Sequence, residues 1–225
     1  KRQMMSWFKY KEYPSFWKNY ILEFKRKSEK NIDNIRFVVF DTETTGLNPK
    51  KDKVLSIGAI GVTGNTIDVS DSFEVYLNQE KFNKDTVEIH GIIKDGNYTK
   101  LEEKEALKQF LKYIKNSILV AHHAAFDVAM INQMLKFYHL PKLKNKILDT
   151  GLLFKKTELC ETTNKHYSLD DLCSTFNIHK HDRHTASGDA FITSIIMIKI
   201  ISLLQKKRKL AVSNLFTNPN KRGLI

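Results

Sequence analysis

The sequence predicts an α/β fold in which a mixed β-sheet is flanked by helices. A short apolar run typical of a buried strand comes first, at 37–40. A β-rich segment with glycines follows at 54–62, and an alternating apolar pattern at 72–77 predicts a third strand. Two further runs, 118–120 and 146–150, alternate with segments of helical periodicity. Strands first, followed by strands alternating with helices, favour a mixed five-stranded sheet covered by helices.

The expected helices share apolar residues at three- and four-residue spacings, and they cover 13–24, 101–114, 126–138, 168–176 and 186 to about 205. The first of them is rich in aromatic residues, among them Tyr13, Phe16, Trp17, Tyr20 and Phe24. We expect this aromatic face to pack on the same chain, with a partner protein or stacked bases as alternatives.

The length of 225 residues favours one elaborated domain over two. We divide the chain into an N-terminal basic, aromatic helical extension (1–35), a main domain (36–205) and a basic C-terminal tail (206–225). The formal net charge is +12, and the two ends carry all of it, since the middle is neutral. Basic arms attract polyanions such as nucleic acid, although they also serve solubility alone.

Composition excludes several classes of protein. The apolar stretch 191–204 is interrupted by Lys199 and is short for a membrane span, so it indicates a buried helix. The N-terminus alternates aromatic and basic residues, which is not typical of a signal peptide. Two cysteines, Cys160 and Cys173, form no disulfide framework, which favours a cytoplasmic location.

Two carboxylates directly follow the first apolar run. Asp41 and Glu43 lie two positions apart, so in an extended strand both side chains point to the same side. Two negative charges beside a buried strand are costly unless a cation neutralises them, and Mg²⁺ and Mn²⁺ prefer carboxylate oxygens. Taken alone, the pair also fits a capped turn.

Two later segments place further polar groups at helix starts. Asp127 falls where a strand gives way to a helix, a position at which the helix dipole favours an anion. Thr185 is a candidate N-cap of the last helix, with Asp189 about one turn inside and His184 on the preceding loop. Each of these residues alone also fits an ordinary helix start or a surface histidine.

The three segments together, in this order, resemble the DEDDh, or DnaQ-like, 3'-to-5' exonuclease family, which has the ribonuclease H-like fold. The likeness covers 37 to about 205. The first motif is FDTETTGL at 40–47, VEIHGI at 87–92 resembles the family's substrate loop, and SLDDLC at 168–173 resembles the stretch before the third motif. The sequences of these motifs are most similar to those of the proofreading epsilon subunits of bacterial DNA polymerase III.

The resemblance implies roles for nine residues of this chain. Four acids would hold two divalent cations, Mg²⁺ or Mn²⁺, and they are Asp41, Glu43, Asp127 and Asp189. His184 would be the general base that activates the attacking water. Substrate contacts are implied for Thr44, Leu47, His90 and Phe126.

The chain departs from the family pattern at His123, where relatives usually carry Asn before Ala-Ala-Phe-Asp. Three other acids, Asp149, Asp170 and Asp171, lie outside the ligand motifs and are expected to be structural. Candidate ligands for a zinc ion are also present, although their spacing fits no standard Cys/His pattern, and they are Cys160, Cys173, His179 and His181.

The leading hypothesis is a metal-dependent exonuclease that releases nucleoside monophosphates from the 3' end of single-stranded or frayed DNA, in proofreading or repair. The alternatives are an RNA-trimming enzyme of the same family and a catalytically inactive nucleic-acid-binding adaptor. Proofreading would require a polymerase subunit as partner. The segment 212–216 resembles the sliding-clamp peptides that end in Leu-Phe, without their glutamine.

Overall fold

The computed structural model describes residues 12–26, 29–80, 84–92, 98–207 and 210–217. The basic aromatic stretch 1–11 and the end of the basic tail, 218–225, lie outside the described residues. The N-terminal extension and the tail predicted from the sequence are therefore described in part.

The main domain contains a mixed sheet in the order β4-β3-β2-β1-β5-β6. The central strand β1 pairs antiparallel with β2 and parallel with β5, and the remaining pairs are antiparallel for β2–β3 and parallel for β3–β4 and β5–β6. The predicted mixed sheet is confirmed, with six strands instead of five, and these are β1 Arg36–Thr44, β2 Val54–Thr63, β3 Thr66–Leu77, β4 Lys100–Leu101, β5 Ile118–Ala121 and β6 Ile147–Asp149.

The added strand, β4, has two residues, which is too short to produce a period-two pattern in the sequence. The helices are α1 Ser15–Glu23, α2 Lys84–His90, α3 Glu103–Ile114, α4 Ala125–Phe137, α5 Thr150–Phe154, α6 Leu169–Phe176, α7 Ala186–Lys207 and α8 Val212–Leu215. The five predicted helices correspond to α1, α3, α4, α6 and α7. The others have seven residues or fewer, and the segment predicted as a substrate loop forms part of α2.

Strand β1 is buried on both faces, and its side chains alternate between two cores. Val38 and Phe40 pack in the core formed with α1, α3 and α4. Phe37 and Val39 pack in the core formed with α5, α6, α7 and α8. The period of two therefore directs each residue that follows Phe40 toward either the α4 side or the α7 side.

The aromatic helix α1 packs on the same chain. Trp17 and Tyr20 are buried in the core beside α3. The Tyr20 hydroxyl donates to Asn145 Oδ1 at 2.6 Å and accepts from the Lys144 N–H at 2.8 Å. Burial raises the pKa of Tyr20 to about 12. The expected packing of the aromatic face on the same chain is therefore the one seen among the described residues.

Helix α7 is the long apolar helix that the sequence predicted. By length and composition it could cross a membrane, a property shared by the core helices of many proteins. Here it contacts β1, β2 and β3, and its own side chains Ile196, Met197 and Ile200 are fully buried. This packing fixes its N-terminus, and with it Asp189, beside the end of β1.

Candidate metal and nuclease site

Three acids meet at the carboxyl end of β1. Asp41, Glu43 and Asp189 each offer an oxygen that lies within 4.8 Å of those of the other two. Asp41 and Glu43 share the strand parity of Phe37 and Val39, so both point to the side of the sheet on which α7 begins. The sequence prediction that the two strand acids face one point is confirmed.

The start of α7 is capped by a side chain and lies close to the sheet. Thr185 Oγ1 accepts from the Gly188 N–H at 3.1 Å, which is the predicted N-cap contact. Gly58 of β2 pairs with Asp41 in the β1–β2 ladder. A Cβ at Gly58 would lie 2.2 Å from the Ser187 nitrogen, so the helix start reaches this position because residue 58 has no side chain.

Asp127 approaches from the other face of the sheet. It lies in the first turn of α4 and is 3% exposed. Its Oδ1 accepts hydrogen bonds from the Thr42 N–H at 3.0 Å and the Thr42 hydroxyl at 2.7 Å. Thr42 has the opposite parity to Asp41, which explains why Asp127 borders the cluster without joining its 4.8 Å group.

Acidic groups outnumber basic ones at the site, and their pKa values are raised. Burial raises the pKa of Asp41 well above its usual range, and the charges of Asp127, Asp189 and Glu43 raise it further. Burial, followed by the charges of Asp189 and Asp127, raises the pKa of Glu43 to about 7. The pKa of Asp127 is also raised to about 7 by burial, against the hydrogen bonds from Thr42. These shifts indicate a pocket that favours a cation.

The donor set fits a hard divalent cation. All candidate ligand atoms are carboxylate oxygens, which Mg²⁺ and Mn²⁺ prefer. Asp189 Oδ1 is buried and has no hydrogen-bond partner among the described residues, so an oxygen is available in the cluster. Burying an unpaired charged oxygen is costly unless a ligand satisfies it. Asp41, Glu43 and Asp189 would hold such an ion, with Asp127 adjacent.

An arginine that the motifs did not predict lies at the edge of the cluster. Arg183 Nη1 donates to Asp189 Oδ2, and its Nε and Nη2 donate to the two oxygens of Asp170 on α6 at 3.3 and 3.5 Å. Desolvation opposes its charge, but the hydrogen bonds to Asp189 and Asp170 raise the pKa of Arg183 further above its usual value. The sequence shows a basic residue directly before His184, but nothing in it indicates these partners.

His184 lies on the loop before α7, as predicted. Its side chain is exposed and makes no hydrogen bond to any described residue. Its backbone φ is +64°, in the left-handed region, and Asp182 shares this conformation. The loop therefore places the His184 imidazole shortly before Asp189 in the sequence and leaves both ring nitrogens without a hydrogen bond to a described residue.

Two of the predicted substrate residues lie just after the acids. Leu47 is 86% exposed, which is unusual for a leucine and suits an apolar contact with a base. Thr44 ends β1, and its hydroxyl donates to the Gly46 carbonyl at 2.8 Å. This bond leaves the Thr44 oxygen able to accept one from a ligand.

The other two predicted substrate residues lie on helices α2 and α4. His90 ends α2 and is 7% exposed, with Nδ1 accepting from the Ile92 N–H at 3.0 Å and Nε2 unpaired among the described residues. Burial lowers the pKa of His90, so its neutral form is favoured. Phe126 is half-buried in the first turn of α4, packed against the core. Their roles as nucleotide contacts stay predictions.

The histidine at position 123, where relatives usually carry Asn, fits the local backbone. His123 has a φ of +59°, a left-handed conformation that Asn adopts more readily than most residues. The His123 ring stacks on His166, with ring centroids 3.8 Å apart. The histidine therefore keeps the turn before α4 and adds a contact to the loop that carries His166.

The remaining acids have structural roles, as predicted. Asp149 accepts from the Leu152 N–H at the start of α5 and from the Ala124 N–H before α4. Asp171 completes a capping box with Ser168, while Asp170 binds Arg183. The four candidate zinc ligands do not form a group with metal-binding distances among the described residues.

The segment that resembles a clamp-binding peptide is folded against the domain. Leu215 of α8 is 3% exposed. Lys156 Nζ donates to the carbonyls of Asn214 and Leu215 at 2.9 and 2.7 Å, which holds the end of the helix. Clamp binding through this segment would require α8 to detach.

The comparison with protein families agrees with this geometry. A family profile, RNase_T, described as exonuclease, matches residues 38–197. The matched range includes all four motif acids and His184. It excludes α1 and α8, which correspond to the extension and the tail.

Curated relatives include proteins described as DNA polymerase III PolC-type. One, from Caldanaerobacter subterraneus subsp. tengcongensis, is 35% identical over 185 residues, and another, from Oceanobacillus iheyensis, is 31% identical over 184 residues. In each case the match covers 80% of this chain and 12% of the relative. The chain thus spans about an eighth of the length of these relatives.

Solved structures with the same fold are nucleases. Exonuclease I of E. coli in complex with a dT13 oligonucleotide gives a TM-score of 0.66 at 13% identity, covering 77% of this chain and 42% of that one. Exonuclease X in complex with 5' overhanging duplex DNA gives 0.55 at 21% identity, covering 75% and 91%. At these identities the likeness shows the fold.

Proposed function

Because the chain belongs to the DEDDh, or DnaQ-like, exonuclease family, we propose that it removes nucleotides from the 3' end of single-stranded or frayed DNA. The products would be nucleoside monophosphates. The observation that carries the proposal is the convergence of Asp41, Glu43 and Asp189 within 4.8 Å. His184 lies exposed on the loop that leads into the helix of Asp189. Gathering three carboxylates at a partly buried site is costly unless a cation balances their charge.

The residues divide the work as follows. Two divalent cations held by the four acids would supply Lewis-acid activation of water and neutralisation of the leaving oxygen. Two hydrogen bonds from Thr42 fix the carboxylate of Asp127, and the packing of α7 fixes the position of Asp189. His184 accepts the proton of the attacking water, for which a free ring nitrogen is required. Leu47 contacts the terminal base.

The DNA substrate is supported by two comparisons. The PolC-type relatives are named as DNA polymerases, and the Exonuclease I and Exonuclease X structures contain DNA. The basic residues at both ends of this chain provide sequence-independent attraction to the phosphate backbone. A role in proofreading would further require a polymerase partner, and that partnership is part of the proposal.

The test is a gel assay on a single strand labelled at one end. With Mg²⁺ or Mn²⁺, we expect a 3' label to be released at once as a mononucleotide, while a 5' label marks a ladder of progressively shorter strands. EDTA should stop both. An inert wild-type protein under both metals would overturn the proposal, and a ladder from the 3' label would reverse the direction of degradation.

RNA is the alternative substrate. Matched DNA and RNA strands of one sequence separate the two, because the 2'-hydroxyl is the group by which a protein distinguishes them. We expect faster cleavage of DNA. A higher kcat/KM on RNA would assign the chain to the RNA-trimming branch instead.

A further inference from the structure

The loop that carries His184 is tied to the acid cluster by its neighbour, Arg183. The guanidinium bridges two helices, because it binds Asp170 on α6 and Asp189 on α7. The Arg183 side chain is 17% exposed and that of Asp189 is 10% exposed, so this pair is largely removed from water. Ion pairs in such surroundings hold geometry more firmly than exposed pairs do.

The bridge divides the two oxygens of Asp189 between different tasks. Oδ2 accepts from Arg183, whereas Oδ1 is buried without a partner among the described residues. A carboxylate held at one oxygen cannot rotate freely, so its other oxygen keeps one direction. The unpaired oxygen is the one that remains for a cation shared with Asp41 and Glu43.

The loop itself has little else to fix it. Asp182 and His184 both have left-handed backbones, and the carbonyl of Asp182 accepts from the Thr185 hydroxyl at 2.7 Å. Lys180 also reaches Asp170, at 3.2 Å, but it does not reach α7. Among the described side chains from 179 to 184, Arg183 is the one that contacts both helices.

We propose that Arg183 is a positioning residue that orients Asp189 toward the metal site and at the same time holds the loop that presents His184. This role rests on the proposed nuclease function. It predicts that the two ends of the bridge matter together. Loss of Asp170, which touches neither the acid cluster nor the substrate residues, should weaken the site in the same direction as loss of Arg183.

A competing role for Arg183 has the opposite sign. If the guanidinium merely occupied the place of a cation, its removal would free Asp189 and tighten metal binding. The positioning role predicts weaker binding, since Asp189 would lose its orientation. The direction of the change in Mn²⁺ affinity therefore decides between the two.

The experiment compares Arg183→Met, Arg183→Lys, Asp170→Asn and the control Lys180→Met with wild type. Calorimetric titration with Mn²⁺ should show a Kd raised about 10- to 100-fold for Arg183→Met. Asp170→Asn and Arg183→Lys should show smaller losses, and Lys180→Met should match wild type. Hydrogen exchange of the 179–185 amides should be faster in Arg183→Met and Asp170→Asn.

A kinetic readout separates positioning from general loss of structure. We expect kcat to fall about 10- to 100-fold in Arg183→Met with KM for the strand within a few-fold, and Arg183→Lys to recover part of kcat. Unchanged or tighter Mn²⁺ binding in both Arg183→Met and Asp170→Asn would overturn the proposal, as would unchanged loop exchange. If Arg183→Met fails to fold, Asp170→Asn decides.

Failure of the nuclease proposal would look different. If the wild-type protein cleaves no strand, the kinetic comparison disappears, but Mn²⁺ binding and hydrogen exchange still report on the bridge. Weakened binding and a loosened loop in an inactive protein would keep the positioning role of Arg183 while removing the catalytic one.

Discussion

The two ends of strand β1 differ in how their charges are balanced. At its start, Arg36 binds Asp71 through two hydrogen bonds, Nε to Oδ2 at 2.7 Å and Nη2 to Oδ1 at 2.8 Å. At its other end, Asp41 and Glu43 face further acids. A single strand thus joins a neutralised pair to a cluster in which the carboxylates outnumber the one described cation beside them, Arg183.

The electrostatic consequences are also opposite. Hydrogen bonds from Arg36 lower the pKa of Asp71, and the Ser117 hydroxyl accepts from Arg36 at 2.8 Å. Burial and neighbouring acids raise the pKa values of Asp41 and Glu43. The fold can compensate buried charge where it needs stability, so the open end marks a place where compensation is left to a ligand.

The largest expected effect is loss of activity at the open end. Asp41→Asn should reduce cleavage by at least about a hundredfold, because a ligand oxygen is lost. In EDTA the same change should raise the melting temperature, since it removes a repelling charge. The gel assay and thermal denaturation measure the two effects. Asp68→Asn, at an exposed acid, is the control, and a metal-free melting temperature that falls in Asp41→Asn would contradict the contrast between the two ends.

The next effect concerns the base beside the acids. His184→Ala should lower kcat by roughly 10²–10⁴-fold, the range typical of a general base. It removes no hydrogen bond, because the side chain is exposed and unbonded, and a small fall in melting temperature is expected only because Ala adopts the left-handed backbone of residue 184 less readily than His does. His181→Ala is the matched control, since His181 is an exposed histidine of the same loop that stacks on His179. Equal activities of the two variants would remove His184 from the mechanism.

At the compensated end, the expected effect is on stability alone. Arg36→Met leaves Asp71 without its partner and should lower the free energy of unfolding by about 2 kcal/mol, or roughly 4–8 °C in melting temperature. Cleavage by the folded protein should be unchanged. Arg26→Met is the control, because Arg26 pairs with Glu23 on the surface and its side chain is 71% exposed. Similar melting temperatures for both variants would show that the Arg36 pair is not stabilising.

The smallest effect is a pH dependence of stability in the metal-free protein. The pKa of Glu43 is about 7 in the folded state, above its value of 4.5 without the fold, so folding favours the protonated form. The wild type should therefore lose stability relative to Glu43→Gln as pH rises from about 4.5 to 7, with no further change above that range. We expect a difference of about 1 kcal/mol, or roughly 2–4 °C.

This comparison cancels the contribution of titrating groups that lie outside the acid cluster. Burial lowers the pKa of His122 to about 4, which makes stability rise with pH in part of the same window, and both proteins share this contribution. Glu105→Gln, at a glutamate on α3 whose pKa is lowered by hydrogen bonds from Gln109 and Lys108, should not show this loss of stability with rising pH. The advantage of Glu43→Gln should shrink when Mg²⁺ or Mn²⁺ is added, and a constant difference at all pH values would contradict the raised pKa.

Much of the site could be predicted from the sequence because strand alternation and helix starts are local. The period of two places Asp41 and Glu43 on one side of β1, and the helix-start positions of Asp127 and Asp189 need only the boundary of a helix. The order of strands and helices then supplied the architecture. These signals lie within a few residues of the chain.

The rest depends on contacts between distant segments. The bridge from Arg183 to Asp170 joins two helices, and no pattern in the sequence indicates it. The end of α8 at Leu215 is bound by Lys156, which is far from it in the chain. Short elements such as β4 and α8 were missed since they contain too few residues to show a period.

Gly58 illustrates how a residue without a functional group limits the site. It lies opposite Asp41, and the first turn of α7 passes where its Cβ would be, 2.2 Å from the Ser187 nitrogen. A single methyl group there would push the helix outward and carry Asp189 away from its partners. A homologue could thus keep every motif acid and the histidine and still be inert, so an inventory of motif letters should include this glycine before it assigns a nuclease.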